Sequence, residues 1–233
     1  MGRKLHTQGC TLHQNELPLR ALFKKLDNIT TGPNAFGGPL GQRCTGKIHE
    51  EQVLRFKSIE TPIIDGFFED GVLKDLSVHQ RLLFDYCKGI GSGNIENRWG
   101  THKIGPLNHA RWLTLAIRLL CLYTRDSSPI ESLTKLLHYI VNVYAPAWFE
   151  IKASSKFHDA PRILFNSITR LNLLPFNDVK RIVQKNIQGN DYCLLHENFL
   201  YAMVKDEDHK TRSLGLEAIL SCRNMYNRNL CLT

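Results

Sequence analysis

Asn108-His109-Ala110-Arg111-Trp112-Leu113-Thr114-Leu115-Ala116-Ile117-Arg118-Leu119-Leu120-Cys121-Leu122-Tyr123-Thr124 is the longest apolar run of the chain with a helical period. Trp112, Leu115, Leu119 and Leu122 recur at the three-and-four spacing of a helix and line one face of it. Asn108 offers a side-chain acceptor to the first free N–H groups, so the pattern predicts a helix from His109 to about Thr124. Arg118 breaks the apolar run from Leu113 to Tyr123 with a charge, which argues against a membrane-spanning segment. Arg111, Arg118 and Arg125 recur every seven residues and line a face adjacent to the apolar one. From Asn97 to Arg125 there is no Asp or Glu, while Arg98, Lys103, Arg111, Arg118 and Arg125 are basic. A basic ridge beside an aromatic suits contact with phosphates and bases. The competing reading of the same residues is a surface ridge over a buried Trp112.

Helical patterning extends both ways from this stretch. Downstream, Ser128, Pro129 and Glu131 read as a capping box that opens a helix ending before Pro146. Further amphipathic stretches are expected around 160–171, 177–187, 197–205 and 209–223, punctuated by Pro175 and Gly189. Asp206-Glu207-Asp208 reads as a solvated turn between the last two. Upstream, Ser77 caps a helix through Leu82, Leu83, Tyr86 and Cys87 that Gly89 and Gly91 end. Leu19, Leu22, Phe23 and Leu26 mark a short helix from Glu16 to Asp27. Residues 32–46 hold five glycines and two prolines and read as an extended loop, and residues 47–74 as loop with at most one strand. Gly37-Gly38-Pro39-Leu40-Gly41 lacks the Gly-Lys-Ser/Thr of a phosphate-binding loop. The expected fold class is therefore mainly α, with a loop-rich segment over 1–75 carrying one helix and a helical region over 76–233, together one domain or part of one.

Composition bounds the function. With 233 residues and 42% hydrophobic side chains the chain can bury a sizeable core. Thirty Lys and Arg against 22 Asp and Glu leave a net charge of +8, which favours acidic partners, and no third of the chain is a basic tail. The seven cysteines are odd in number and scattered through apolar, helix-like context, which predicts reduced thiols and a cytoplasmic or nuclear setting.

Two constellations could carry chemistry. Cys10 with His13, and Cys193 with His196, each form a Cys-x-x-His, and together they match the ligand number of a tetrahedral zinc. Their separation is far looser than a zinc finger's, and leucine-rich helices generate the pattern by chance, so no metal and no other cofactor is expected. No nucleophile elbow is present, and adjacent acids such as Glu69-Asp70 stand in no motif context.

Several segments carry a resemblance: Leu12-His13-Gln14-Asn15-Glu16-Leu17-Pro18-Leu19-Arg20, Thr31-Gly32-Pro33, Phe36-Gly37-Gly38-Pro39-Leu40-Gly41, Asn108-His109-Ala110-Arg111-Trp112-Leu113-Thr114, Val143-Tyr144-Ala145-Pro146-Ala147-Trp148-Phe149-Glu150-Ile151-Lys152 and His196-Glu197-Asn198. Over nearly the whole chain these resemble a family of uncharacterised arthropod proteins, also met in bracovirus-related sequence. More distantly, that family is similar to the hAT-like transposases, whose RNase H-like core carries a Cys-x-x-His, then an Arg-Trp motif, then a helical insertion before a catalytic Glu. The resemblance implies that Cys10 and His13 match the first motif, Arg111 and Trp112 the second, and Glu197 the Glu. It also implies two metal-binding Asp residues upstream of the Cys-x-x-His, and none of the nine residues before Cys10 is Asp. The expectation is a catalytically inactive, transposase-derived fragment, composed of the insertion and remnant of an RNase H-like α/β core. DNA is its expected partner, through Arg111, Trp112, Arg118 and Arg125, with a helical protein-interaction module as the alternative.

Overall fold

The computed structural model describes residues 11–27, 36–61, 76–95, 103–105, 111–153, 160–188, 200–201 and 203–230. Helix α1 spans Thr11–Asp27 and so begins before the expected Glu16, with Pro18 in its interior. Pro18 removes one backbone donor, and its ring is buried with Leu19, Leu22 and Phe23, so apolar burial offsets the lost bond. Each of those large side chains, removed from water, contributes about 1.5–3 kcal/mol.

The Gly-rich stretch is not the extended loop its composition predicts. Helix α2 occupies Pro39–Thr45, with proline in the first turn, where its missing N–H costs nothing. The last residue of α1 supplies the reason. Asp27 is buried at 1% exposure, and its carboxylate accepts from Leu40 N–H at 2.7 Å and Gly41 N–H at 2.7 Å. An anion thus faces the positive end of α2 and satisfies two of its free donors. Burial raises the Asp27 carboxyl above its ordinary value, and these two N–H groups oppose the rise. At Gly41 the backbone approaches so closely that an added Cβ would fall on Phe36. A single turn at Ile48–Glu50 follows, and residues 51–61 run irregularly over the core.

Helix α3 spans Val78–Ser92, and the Gln80 side chain accepts the Ser77 N–H at its start. It runs past Gly89 and Gly91, which were expected to end it, and stops where Gly93 takes a left-handed φ of 74°. Helix α4 spans Arg111–Tyr123, as its periodicity predicts; Asn108 lies outside the described residues. Helix α5 spans Glu131–Tyr139, and its N-cap is Ile130 rather than Ser128. The Ser128 N–H is drawn instead to Asp126 Oδ1 at 3.0 Å, which turns the chain before the helix can begin. Asp126 is itself fixed by Arg43 at 2.7 Å.

The expected stop before Pro146 does not occur. A wide π turn over Ile140–Tyr144 leads straight into helix α6, Ala145–Ala153, which contains Pro146. Proline cannot donate, and in an α-helix its ring collides with the carbonyl four residues back. The π register absorbs both problems, and the Ala145 N–H bonds Ile140 O across the wider turn. Tyr144 O takes a further hydrogen bond from the buried Asn15 side chain of α1 at 3.1 Å.

Helix α7 is Ala160–Arg170, α8 is Asn177–Gln188 and α9 is His209–Leu230, close to the amphipathic stretches read from the sequence. Asp208 caps α9 by accepting the Thr211 N–H at 2.8 Å. The fold is mainly helical, and the described residues include no β-strand. Helices α1, α4, α5 and the π turn pack around one apolar cluster, which α3 and α8 close from opposite flanks of the chain order. Residues from both sides of position 75 share that cluster.

If Gly41 is required by close approach, Gly41→Ala should cost about 1–3 kcal/mol through overpacking. Gly46→Ala, whose added Cβ would lie 3.4 Å from Arg43 O, should change stability by less than about 0.5 kcal/mol. Equilibrium urea unfolding of the two variants beside the parent measures the difference, and equal costs would contradict the packing described.

Candidate nucleic-acid interface

Of the Arg ridge read from the sequence, Arg118 lies on α4 and Arg125 just past its end, and both are inside the protein. Every described side chain from Trp112 to Arg125 is buried. Trp112 is 7% exposed, Arg118 7% and Arg125 5%. The side chain of Arg111 lies outside what the structure describes. The expectation of a solvent-facing ridge is therefore corrected for Arg118 and Arg125, because chain segments distant in sequence fold over them.

Those segments explain how a cation is tolerated there. Arg118 donates through Nη1 to Cys44 O and to Gly46 O at 3.2 Å, and through Nη2 to Gly105 O at 3.0 Å and Ile104 O at 3.5 Å. Its Nε is buried with no partner, and no carboxylate among the described residues pairs with it. Burial lowers its pKa, an effect that the partial charges of the Cys44 and Cys121 thiols oppose. Arg125 donates from Nε to Glu51 O at 3.0 Å and from Nη1 to Cys121 O at 3.1 Å, Thr124 Oγ1 at 2.8 Å and the Tyr86 hydroxyl at 3.5 Å. The Arg118 guanidinium fastens the end of α2 and residues 104–105 to α4, and that of Arg125 fastens residue 51. A planar fork with five donors suits that task better than an ammonium.

The thiols around this network are not poised for nucleophilic chemistry. Cys44, Cys87 and Cys121 are free and buried. Burial pushes the Cys44 thiol up to about 12 and raises Cys121 as well, so neither is a thiolate near neutral pH. Among the described residues no three His, Cys, Asp or Glu side chains converge on a point. His13 lies on the exposed side of α1, 3.8 Å from Glu16. Cys10, Cys193, His196 and Glu197 lie outside the described residues.

A different surface has the character expected of a polyanion contact. Helices α1 and α8 pack against each other more extensively than any other pair of described elements. Their apolar sides, Leu19, Leu22 and Phe23 on one and Val179, Val183 and Ile187 on the other, are buried. Their solvent sides expose Arg20, Lys24 and Lys25, and Arg181 and Lys185. None of these five has an ion-pair partner among the described residues. Several carboxylates elsewhere are engaged: Asp126 by Arg43, Asp85 by Arg81, Glu150 by Arg170, and Asp178 and Glu131 by Lys135. Sequence reading passed over this surface because its charges are split between segments some 160 residues apart and neither segment is acid-free. The period-four run Val179, Val183, Ile187 was the signal that fixed which side of α8 is wet.

No family model, curated protein or solved structure matches the chain.

If Arg118 is a fastener, Arg118→Met should lower unfolding free energy by about 1–3 kcal/mol, because buried carbonyls lose their donors while the side-chain volume is kept. Trp112→Ala should cost about 3–5 kcal/mol as a truncated core residue. Chemical denaturation checks both, and a parent-like midpoint for Arg118→Met would contradict the network.

Proposed function

We propose that this chain is a catalytically inactive, transposase-derived helical protein that binds DNA through phosphate contacts. Its helical body would correspond to the insertion and remnant of an RNase H-like core. The observation that carries the reading is the surface of α1 and α8: Arg20, Lys24, Lys25, Arg181 and Lys185 are exposed with no ion-pair partner among the described residues, while Asp178 of α8 is taken by Lys135 and Asp27 of α1 is buried. The net charge of +8 adds a longer-range attraction in the same direction. The order of the Cys-x-x-His and Arg-Trp motifs supports the transposase origin.

A second reading, a helical protein-interaction module, is favoured by Leu214, Leu216 and Leu220 of α9 and by Tyr201, all exposed. Fluorescence anisotropy of labelled duplex DNA across a salt series separates the two. The DNA reading expects a Kd of about 10⁻⁴–10⁻⁶ M near physiological salt that tightens as salt falls. Incubation of the same DNA with Mg²⁺ or Mn²⁺ should give neither cleavage nor joining. Absence of binding at about 50 mM salt would remove the DNA reading and leave the interaction module in its place.

A further inference from the structure

We infer that the exposed side of the α1–α8 pair is the phosphate-contacting surface, and that it grips the backbone of duplex DNA rather than reading its bases. This rests on the proposed DNA binding and says where it occurs and what it recognises. The cations stand in two rows. On α1, Arg20 and Lys24 are one helical turn apart with Lys25 beside them; on α8, Arg181 and Lys185 are likewise one turn apart. A four-residue step along a helix is about 6 Å, close to twice the rise of about 3.4 Å per phosphate along one DNA strand. Each row can therefore meet alternate phosphates along one strand.

The choice of DNA over other anions follows from what these helices do not expose. A helix that binds a membrane surface inserts an apolar face. Here the apolar faces of both α1 and α8 are spent on the core, through Leu19, Leu22, Phe23, Val179, Val183 and Ile187. Base readout requires an element that projects into a groove. Both helices are instead packed into the body along their length, so contact stays with the phosphates. Acidic side chains of a flexible peptide lack the regular phosphate spacing that the one-turn step of each row matches.

The test uses the full chain and a variant in which Arg20, Lys24, Lys25, Arg181 and Lys185 are all replaced by Ala. These positions are exposed and Ala favours helix, so folding is retained, which a circular dichroism melt verifies. The control variant carries Arg55→Ala and Lys57→Ala, exposed cations on the irregular segment 51–61. If each of the five residues neutralises one phosphate, the parent's log Kd should change with log salt at a slope of about 4.5. Affinity for duplex DNA would then fall several-hundredfold between about 50 and 200 mM salt. The five-residue variant should lose most of that slope, the control should keep it, and two unrelated duplex sequences should bind equally. A five-residue variant that binds with the parent's slope overturns this inference while leaving DNA binding intact. A parent that binds no DNA at low salt overturns both. Equal or tighter binding to poly-glutamate, or to phosphatidylcholine–phosphatidylserine vesicles, overturns the assignment to DNA.

Discussion

A guanidinium inside a protein must be met by acceptors, and the enclosure of Arg118 and Arg125 in α4 constrains much of the surrounding chain. Transfer of an unpaired charge out of water costs several kcal/mol even after relaxation. With no carboxylate at Arg118 among the described residues, the compensation comes from backbone carbonyls at 44, 46, 104 and 105, which converge on one point of the helix. Arg125 imposes the same demand on Glu51 and on the end of its own helix. The irregular segments thus gain fixed positions without forming a sheet or a helix. The constraint is reciprocal, because those carbonyls would otherwise be buried acceptors lacking donors.

Two further polar devices hold the helices in register around α4. Asp27 joins the end of α1 to the start of α2, and Asn15 joins α1 to the carbonyl of Tyr144 at the end of the π turn. Both side chains lie on α1, which also carries one half of the basic surface. The helix is consequently held from within at its N-terminal third and at its last residue, while Arg20, Lys24 and Lys25 remain free on the other side. The proposed contact with a rigid, regularly charged polymer would benefit from such a mounting, since less conformational entropy remains to be lost on contact.

Charge is distributed unevenly between function and structure. Arg118 and Arg125, the cations most conspicuous in the sequence, act within the fold, whereas those of α1 and α8 face solvent. The carboxylates that could have neutralised the latter are drawn elsewhere. Lys135, for example, takes Asp178 at 2.7 Å, the acid of α8 itself, and burial in a hydrogen-bonded cap takes Asp27 from α1. Ion pairing between neighbouring helices thus decides where a net charge of +8 can be felt.

Local periodicity was enough to determine the helical class, the span of α4, and the stretches of α7, α8 and α9, because apolar residues three and four apart can share a core only on a helix. The helix boundaries were set by tertiary contact. Gly89 and Gly91 stay helical, Pro146 is carried through by a π turn, and Pro39 opens a helix because Asp27, brought there by the fold, satisfies its first donors. Asp27 stands 13 residues before Leu40, and Asn15, which bonds the end of the π turn, 129 before Tyr144, so no window of composition could reveal them. The same limit applied to the candidate site. The seven-residue spacing of Arg111, Arg118 and Arg125 predicted one helical face, but Arg125 lies past the end of α4, and spacing says nothing about what covers a side chain. Burial of Arg118 and Arg125 was decided by carbonyls from residues 44–51 and 104–105, and the α1–α8 surface exists only because two distant amphipathic helices bury their apolar sides against each other and the core, leaving their charges outside.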